Sequence, residues 1–266
     1  MHLLETKNIS IGFPSRHGMF VAVKDVSINV SKGEILGVVG ESGAGKSTIG
    51  NAIISLLEPP GKVIEGEVWF NGDRIDNLSS EEKRRLRGRK IGMIFQDPQT
   101  SLDPLKTIKQ QLVETIDLHL RLGRKGSEQR AIELLEQVGI PDPELRINHY
   151  PHQFSGGMRQ RVALARTLMQ DKPLVLMDEP FSALDAVTRH KLQTLSFELL
   201  KDKTVVLITH DPQEAVRLAD CLYILKGSPA QAESIALPES LPPRALSAET
   251  AAIQQQIFQL LEDDYD

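Results

Sequence analysis

Gly40-Glu41-Ser42-Gly43-Ala44-Gly45-Lys46-Ser47-Thr48 is the stretch that decides how this chain is read. It has the form Gly-x-x-x-x-Gly-Lys-Ser. Glycines let successive backbone N–H groups turn inward around an anion. The lysine ammonium reaches terminal phosphates, and the serine hydroxyl is an oxygen ligand for Mg²⁺. Just before it runs Ile35-Leu36-Gly37-Val38-Val39, an apolar stretch suited to a strand buried on both faces. After it, Thr48 to Leu57 reads as a helix that Glu58-Pro59-Pro60-Gly61 ends. Strand, glycine loop and helix is the context in which this pattern holds phosphates, with the positive end of the helix facing them.

Outward from the loop, residues 1–35 read as strands, with Ser31-Lys32-Gly33 as a turn. Gly66 to Phe70 and Arg74-Ile75 predict a hairpin around Asn71-Gly72. Residues 79–90 form a basic, charged helical segment with a solvated face. Ile91 to Phe95, Leu174 to Met177 and Val205 to Ile208 are further apolar strands, and long amphipathic patterns fill the space after Phe95. Strands alternating with helices imply a parallel sheet covered by helices, an α/β fold. The stretch from residue 227 begins as a Pro- and Ser-rich loop and ends in a helix, with Ile253, Ile257, Leu260 and Leu261 at helical spacing.

Bulk properties narrow the function. The 266 residues carry a net charge of −5, with 40% hydrophobic and 25% charged residues, a soluble globular composition. A sequence-independent nucleic-acid binder would more often be basic, so no nucleic-acid partner is expected. The one cysteine, Cys221, excludes an internal disulfide and a thiolate metal cluster, and reads as a small buried apolar residue. The start, Met1 to Lys7, lacks the pattern of a secretory signal. No apolar run approaches the ~20 residues of a membrane span, so any work at a membrane needs another chain to cross it.

Leu174-Val175-Leu176-Met177-Asp178-Glu179 adds a second half to the phosphate site. Two carboxylates sit where a buried strand ends, the place at which open α/β sheets bind ligands. Asp178 would hold Mg²⁺ directly or through water, and Glu179 would act as general base toward the attacking water. By itself, an apolar run closing on Asp-Glu is weak evidence, since a strand ending in a solvated turn looks the same.

Phe154-Ser155-Gly156-Gly157-Met158-Arg159-Gln160-Arg161 changes that weighting. It resembles the LSGGQ segment that defines the ABC ATPases, with Phe154 in place of Leu and Met158 in place of Gln. The small residues at a helix N-terminus keep the physical logic of close approach to a phosphate. Other landmarks follow in the family's order. Gln96 resembles the Q-loop glutamine, which senses Mg²⁺ and the attacking water. Ser182-Ala183-Leu184-Asp185 resembles the D-loop, and His210, in Leu207-Ile208-Thr209-His210-Asp211, resembles the switch histidine that contacts the γ-phosphate. Phe13 is the chosen aromatic for stacking on adenine, with Phe20 second.

The resemblance covers about residues 3–226 and implies a P-loop NTPase fold. Its parts are a RecA-like parallel-sheet core, an N-terminal antiparallel β-subdomain and an inserted helical subdomain. The implied division is a core of 1–95 and 169–226, a helical subdomain of about 96–168, and a tail of 227–266. It also implies a head-to-tail dimer with an identical or similar subunit. ATP, with Mg²⁺, would lie between the Gly40–Thr48 loop of one subunit and the Ser155–Gly157 segment of the other. Integral-membrane permease subunits, an extracytoplasmic substrate-binding protein acting indirectly, and a place on the cytoplasmic face of the inner membrane complete that expectation.

Two importer groups share the likeness. Up to about residue 165 the chain resembles peptide and nickel importer ATPases, through Gly40-Glu41-Ser42-Gly43, Phe95 to Pro104 and His149 to Met158. Beyond that, Glu179-Pro180-Phe181-Ser182-Ala183-Leu184-Asp185 and Thr209 to Ala215 are similar to nitrate, sulfonate and thiamine-precursor importer ATPases. The chain reads as a hybrid, and the peptide type is favoured because its half holds the segment expected to meet the permease.

Overall fold

The computed structural model describes residues 2–94, 102–168, 172–182 and 184–262. The chain forms two compact units, one of Met1–Ile91 with Lys201–Asp266 and one of Gly92–Leu200.

The first unit opens with strands β1 (His2–Ser15), β2 (Gly18–Val26), β3 (Asn29–Ser31) and β4 (Ile35–Gly40), followed by helix α1 (Lys46–Ile53). Next come β5 (Lys62–Phe70), β6 (Asp73–Arg74) and α2 (Ser80–Arg89). The long strand β1 organises an antiparallel sheet in the order β2-β1-β5-β6, with β3 also paired to β1. The hairpin expected at Asn71-Gly72 is present. Both residues have positive φ, 52° and 86°, and Trp69 faces Arg74 across it, the backbone that a tight two-residue hairpin requires.

Helix α1 runs earlier than the sequence suggests, starting at Lys46 and stopping at Ile53. Ser55 turns the chain into the left-handed region at φ 55°. Nη1 of Arg87, from the charged helix α2, donates to the carbonyls of Ile54 and Ser55 at 3.1 Å each. The basic segment is mostly exposed, as expected, but it also closes the end of α1.

Strand β4 is buried at every residue. It lies parallel to both β9 (Thr204–Thr209) and β10 (Cys221–Lys226). Central parallel strands are covered on both faces, which is why Ile35-Leu36-Gly37-Val38-Val39 has no polar alternation. Between β9 and β10 comes α8 (Pro212–Leu218). The tail is more ordered than a loop and a helix. Gln231–Ile235 form β11, antiparallel to β10, and the final helix α9 (Ala248–Glu262) packs on α8. Ile257 and Leu261 of α9 join Ala215, Val216, Leu222 and Ile224 in one buried cluster, with Ile253 and Leu260 beside it. Each fully buried Val, Leu or Ile of that cluster contributes about 1.5–3 kcal/mol by leaving water. Cys221, half-buried, has its thiol pushed up to about 12, first by burial and then by the charges of Glu34 and Asp220.

The second unit begins within β7 (Ile91–Ile94) and holds α3 (Ile108–Leu120), α4 (Gly123–Gln137), α5 (Pro143–Arg146), α6 (Gly156–Leu168), β8 (Leu174–Asp178) and α7 (Ala186–Leu200). β7 and β8 are hydrogen-bonded neighbours. Ile108, Leu112 and Ile116, at four-residue spacing on α3, are buried, as are Ala131, Leu134 and Leu135 on α4. These apolar stripes hold α3 and α4 together. Among the described residues, no helix is long and apolar enough to cross a membrane.

Candidate nucleotide site

In the first unit the chain leaves β4 at Gly40 and enters α1 through a five-residue turn. Gly43 and Gly45 have φ of 90° and 80°, values that a side chain would strain. Gly45 is the N-cap of α1 and has no side chain to cap it, and a helix start is where anions bind. The backbone N–H of Ala44 and the Nζ of Lys46 both point at the carbonyl of Glu41, at 3.1 and 2.6 Å. Lys46 is only 4% exposed. A buried ammonium is costly unless it is paired and hydrogen-bonded, so this loop is built around it. Glu41, Ser47 and Thr48 are half-buried, and Ser42 is exposed.

His210 follows the last residue of β9 and is exposed. Val39 is paired with Thr209 across the parallel strands β4 and β9. Gly40 and His210 therefore leave the sheet side by side at its carboxyl end, where open α/β sheets take their ligands. Phe13 lies opposite Phe20 on β1 and β2. Phe13 is half-buried with its ring against Gly61, where a Cβ would come within 2.5 Å of Cε1. Phe20 is 56% exposed.

In the second unit Asp178 ends β8 and Glu179 follows directly, and both are buried. Glu179 adopts φ 46°, and its carbonyl accepts the Ser182 hydroxyl at 3.1 Å. The left-handed backbone turns the chain at the strand end. Ser155 precedes α6. Its hydroxyl accepts the Met158 amide at 3.3 Å and its carbonyl accepts the Arg159 amide at 2.9 Å. Asp185 does the same for α7, taking the Thr188 amide on Oδ1 at 3.0 Å. The Thr188 amide, and then the Thr188 hydroxyl, hold the Asp185 carboxyl below its usual range. Ser155 and Asp185 are exposed, and Gly156 is partly so. Gly157 ties the two helix starts together: a Cβ there would lie 2.7 Å from Cγ2 of Thr188. Motif spacing gave no hint of that contact. Gln96 and the rest of 95–101, together with Ala183, lie outside the described residues.

Ser47 and Asp178 offer hydroxyl and carboxylate oxygens, the hard donors that Mg²⁺ takes alongside substrate phosphates. The residues fit that ion in type.

A glycine loop with a buried lysine, entered from a buried parallel strand, defines a phosphate-binding α/β protein of the P-loop class. A family model described as ABC transporter matches residues 23–182. The chain belongs to the ABC transporter family. It is 42% identical over 226 residues to the oligopeptide transport ATP-binding protein OppD of Bacillus subtilis (strain 168), covering 84% of this chain and 63% of that protein. It is 43% identical over 213 residues to the dipeptide transport ATP-binding protein DppD of Escherichia coli (strain K12), covering 79% of this chain and 65% of that one. The chain thus spans just under two thirds of the length of these relatives. Among solved structures, the ATP-binding cassette MJ0796, a dimer in a post-hydrolysis state bound to ADP and Pi, superposes with a TM-score of 0.75 at 31% identity, covering 91% of this chain and all of that one. A match of 226 residues within 266 runs well past residue 165. Likeness to peptide-transport ATPases is therefore not confined to the part before that point.

Proposed function

We propose that this chain binds ATP with Mg²⁺ and hydrolyses it as the energy-coupling subunit of an importer of peptide type. The observation that carries the reading is Lys46, buried and hydrogen-bonded inside a loop that ends at a helix start. That arrangement suits the terminal phosphates of a nucleotide. His210, leaving the sheet beside Gly40, is suited to contact the γ-phosphate. Glu179 takes a proton from the attacking water while the water oxygen bonds to the γ-phosphorus. The bond to the bridging oxygen breaks, and ADP leaves with that electron pair. Mg²⁺, held by Ser47, Asp178 and Gln96, would neutralise charge on the phosphates. Phe13 is the proposed stacking surface for adenine.

The working unit is a dimer in which Ser155, Gly156 and Gly157 of one copy close over nucleotide held by the other, with Asp185 close to that junction. The exposed position of Ser155 at a helix start supports this, and so does the dimeric cassette to which the chain is similar. Permease subunits would cross the membrane and bind the chain on its cytoplasmic side, with an extracytoplasmic binding protein delivering cargo. Likeness to OppD and DppD across most of the chain supports peptide as the cargo class.

Reconstitution tests the cargo class. The chain is combined in proteoliposomes with peptide-type permeases and, separately, with sulfonate-type permeases, and phosphate release is followed. Stimulation by the peptide-type pair is expected. Stimulation by the sulfonate-type pair alone would transfer the chain to the group that Glu179 to Asp185 resembles.

A further inference from the structure

The segment after β10 was assigned no role by its sequence, yet it grips the element that carries His210. Only His210 separates the last residue of β9 from Asp211, the N-cap of α8. That turn is tightly tied. Asp211 donates its amide to the Thr209 hydroxyl at 3.0 Å, accepts the Gln213 amide on Oδ1 at 2.9 Å, and accepts the Ala215 amide on its carbonyl at 3.2 Å. The position of His210 is thus set by β9 on one side and by α8 on the other. β9 is fixed in the sheet. α8 has only seven residues, too few to hold its place without tertiary support.

Arg244 supplies that support at the far end of α8. It is 7% exposed. Its Nη1 donates to the carbonyls of Val216 and Ala219 at 3.1 and 2.6 Å, and its backbone amide donates to that of Arg217 at 2.8 Å. Nη2 ties the same guanidinium to Pro238 at 3.2 Å, within the tail. A cation here satisfies the orphan carbonyls of the last turn and opposes the negative end of the helix. α9 then covers the flank of α8 through Ile257 and Leu261.

We propose that the tail is a brace for the switch histidine, and that Arg244 is a positioning residue acting through α8 on His210. This rests on the reading of His210 as the γ-phosphate contact. The guanidinium makes three hydrogen bonds in two directions, a pattern that the compact ammonium of lysine cannot copy.

The experiment is a double-mutant cycle on the full chain with Arg244→Lys and His210→Ala, reading kcat and KM for ATP and amide hydrogen exchange in residues 213–219. Arg244→Lys is expected to lower kcat about 10-fold, within the ~100-fold that a 1 Å misplacement can cost. KM should stay within about twofold, and exchange in α8 should quicken. In the His210→Ala background the same change should cost nothing further. Independent sites add, so an equal loss in both backgrounds would overturn the brace. Wild-type kcat or unchanged α8 exchange in Arg244→Lys, beside a slow His210→Ala, would also overturn it. A His210→Ala variant with wild-type turnover would overturn the reading of His210 itself. Should lysine at 244 fail to fold, Ile257→Val removes one methyl from the packing of α9 on α8. It should show the same non-additivity at about a twofold loss, and additivity there would sink the proposal.

Discussion

In the first unit Lys46 is buried, with its ammonium hydrogen-bonded inside its own loop. In the second unit Ser155 and Asp185 stand exposed at the starts of two helices. Both units use the same physics, backbone N–H groups at a helix N-terminus, but one encloses its charge and the other presents its small residues to solvent. The enclosed charge already has a partner within its own loop. The open half has the form of a surface that acts on something brought to it. The proposed dimer assigns each half that role: one grips the nucleotide, and the other closes over the nucleotide of a partner.

The comparison is broken most severely at the carboxylate. Glu179→Gln is expected to lower ATP turnover by about 10²–10⁴ while ATP still binds, as judged by phosphate release beside equilibrium nucleotide binding. Unchanged turnover would remove Glu179 from the chemistry and leave the second unit without a base. Lys46→Ala comes next. Loss of charge-assisted hydrogen bonds to phosphate should weaken ATP binding about 10- to 150-fold, measured by titration calorimetry. Wild-type affinity would mean that the enclosed half does not grip phosphate.

Gly157→Ala sharpens the comparison from the other side. The new Cβ meets Cγ2 of Thr188 at 2.7 Å, so the Thr188 side chain or the starts of α6 and α7 must shift, at a cost of about 1–3 kcal/mol. Urea unfolding reads that cost, and an unchanged midpoint would show that the two helix starts are not locked. The smallest effect belongs to Asp185. Its folded carboxyl is held below the ordinary range by Thr188. The cap therefore adds stability that is whole above about pH 4 and fades as pH falls through the lowered value. Thermal unfolding of wild type and Asp185→Asn should differ slightly at pH 7, and the gap should shrink toward acid pH. A gap that widens in acid would contradict the cap.

Much of this architecture could be read from residues alone, for particular reasons. β4 and the Val205–Ile208 run of β9 carry no polar side chain because parallel central strands have no wet face. The phosphate loop was visible because glycine at 43 and 45 answers a backbone requirement that few other residues meet. β11 escaped notice because Gln231-Ala232-Glu233-Ser234-Ile235 carries one large apolar residue and sits at a sheet edge. The grips of Arg87 and Arg244 were equally hidden. Their guanidinium groups reach carbonyls 25 or more residues away, and such bonds leave no periodic trace. The Gly157–Thr188 contact was invisible for the same reason, since nothing in either motif names its neighbour.

The backbone at Glu179 carries a consequence for anyone seeking a hardier version of this molecule. At φ 46°, a glycine would sit more comfortably than a glutamate, by about 1 kcal/mol. A screen that rewards heat resistance alone should therefore favour glycine at this position and, if Glu179 is the proposed base, return a protein that melts later and no longer turns over ATP. The left-handed φ falls on the residue proposed as the base, so on that reading durability and turnover pull against each other at a single Cα.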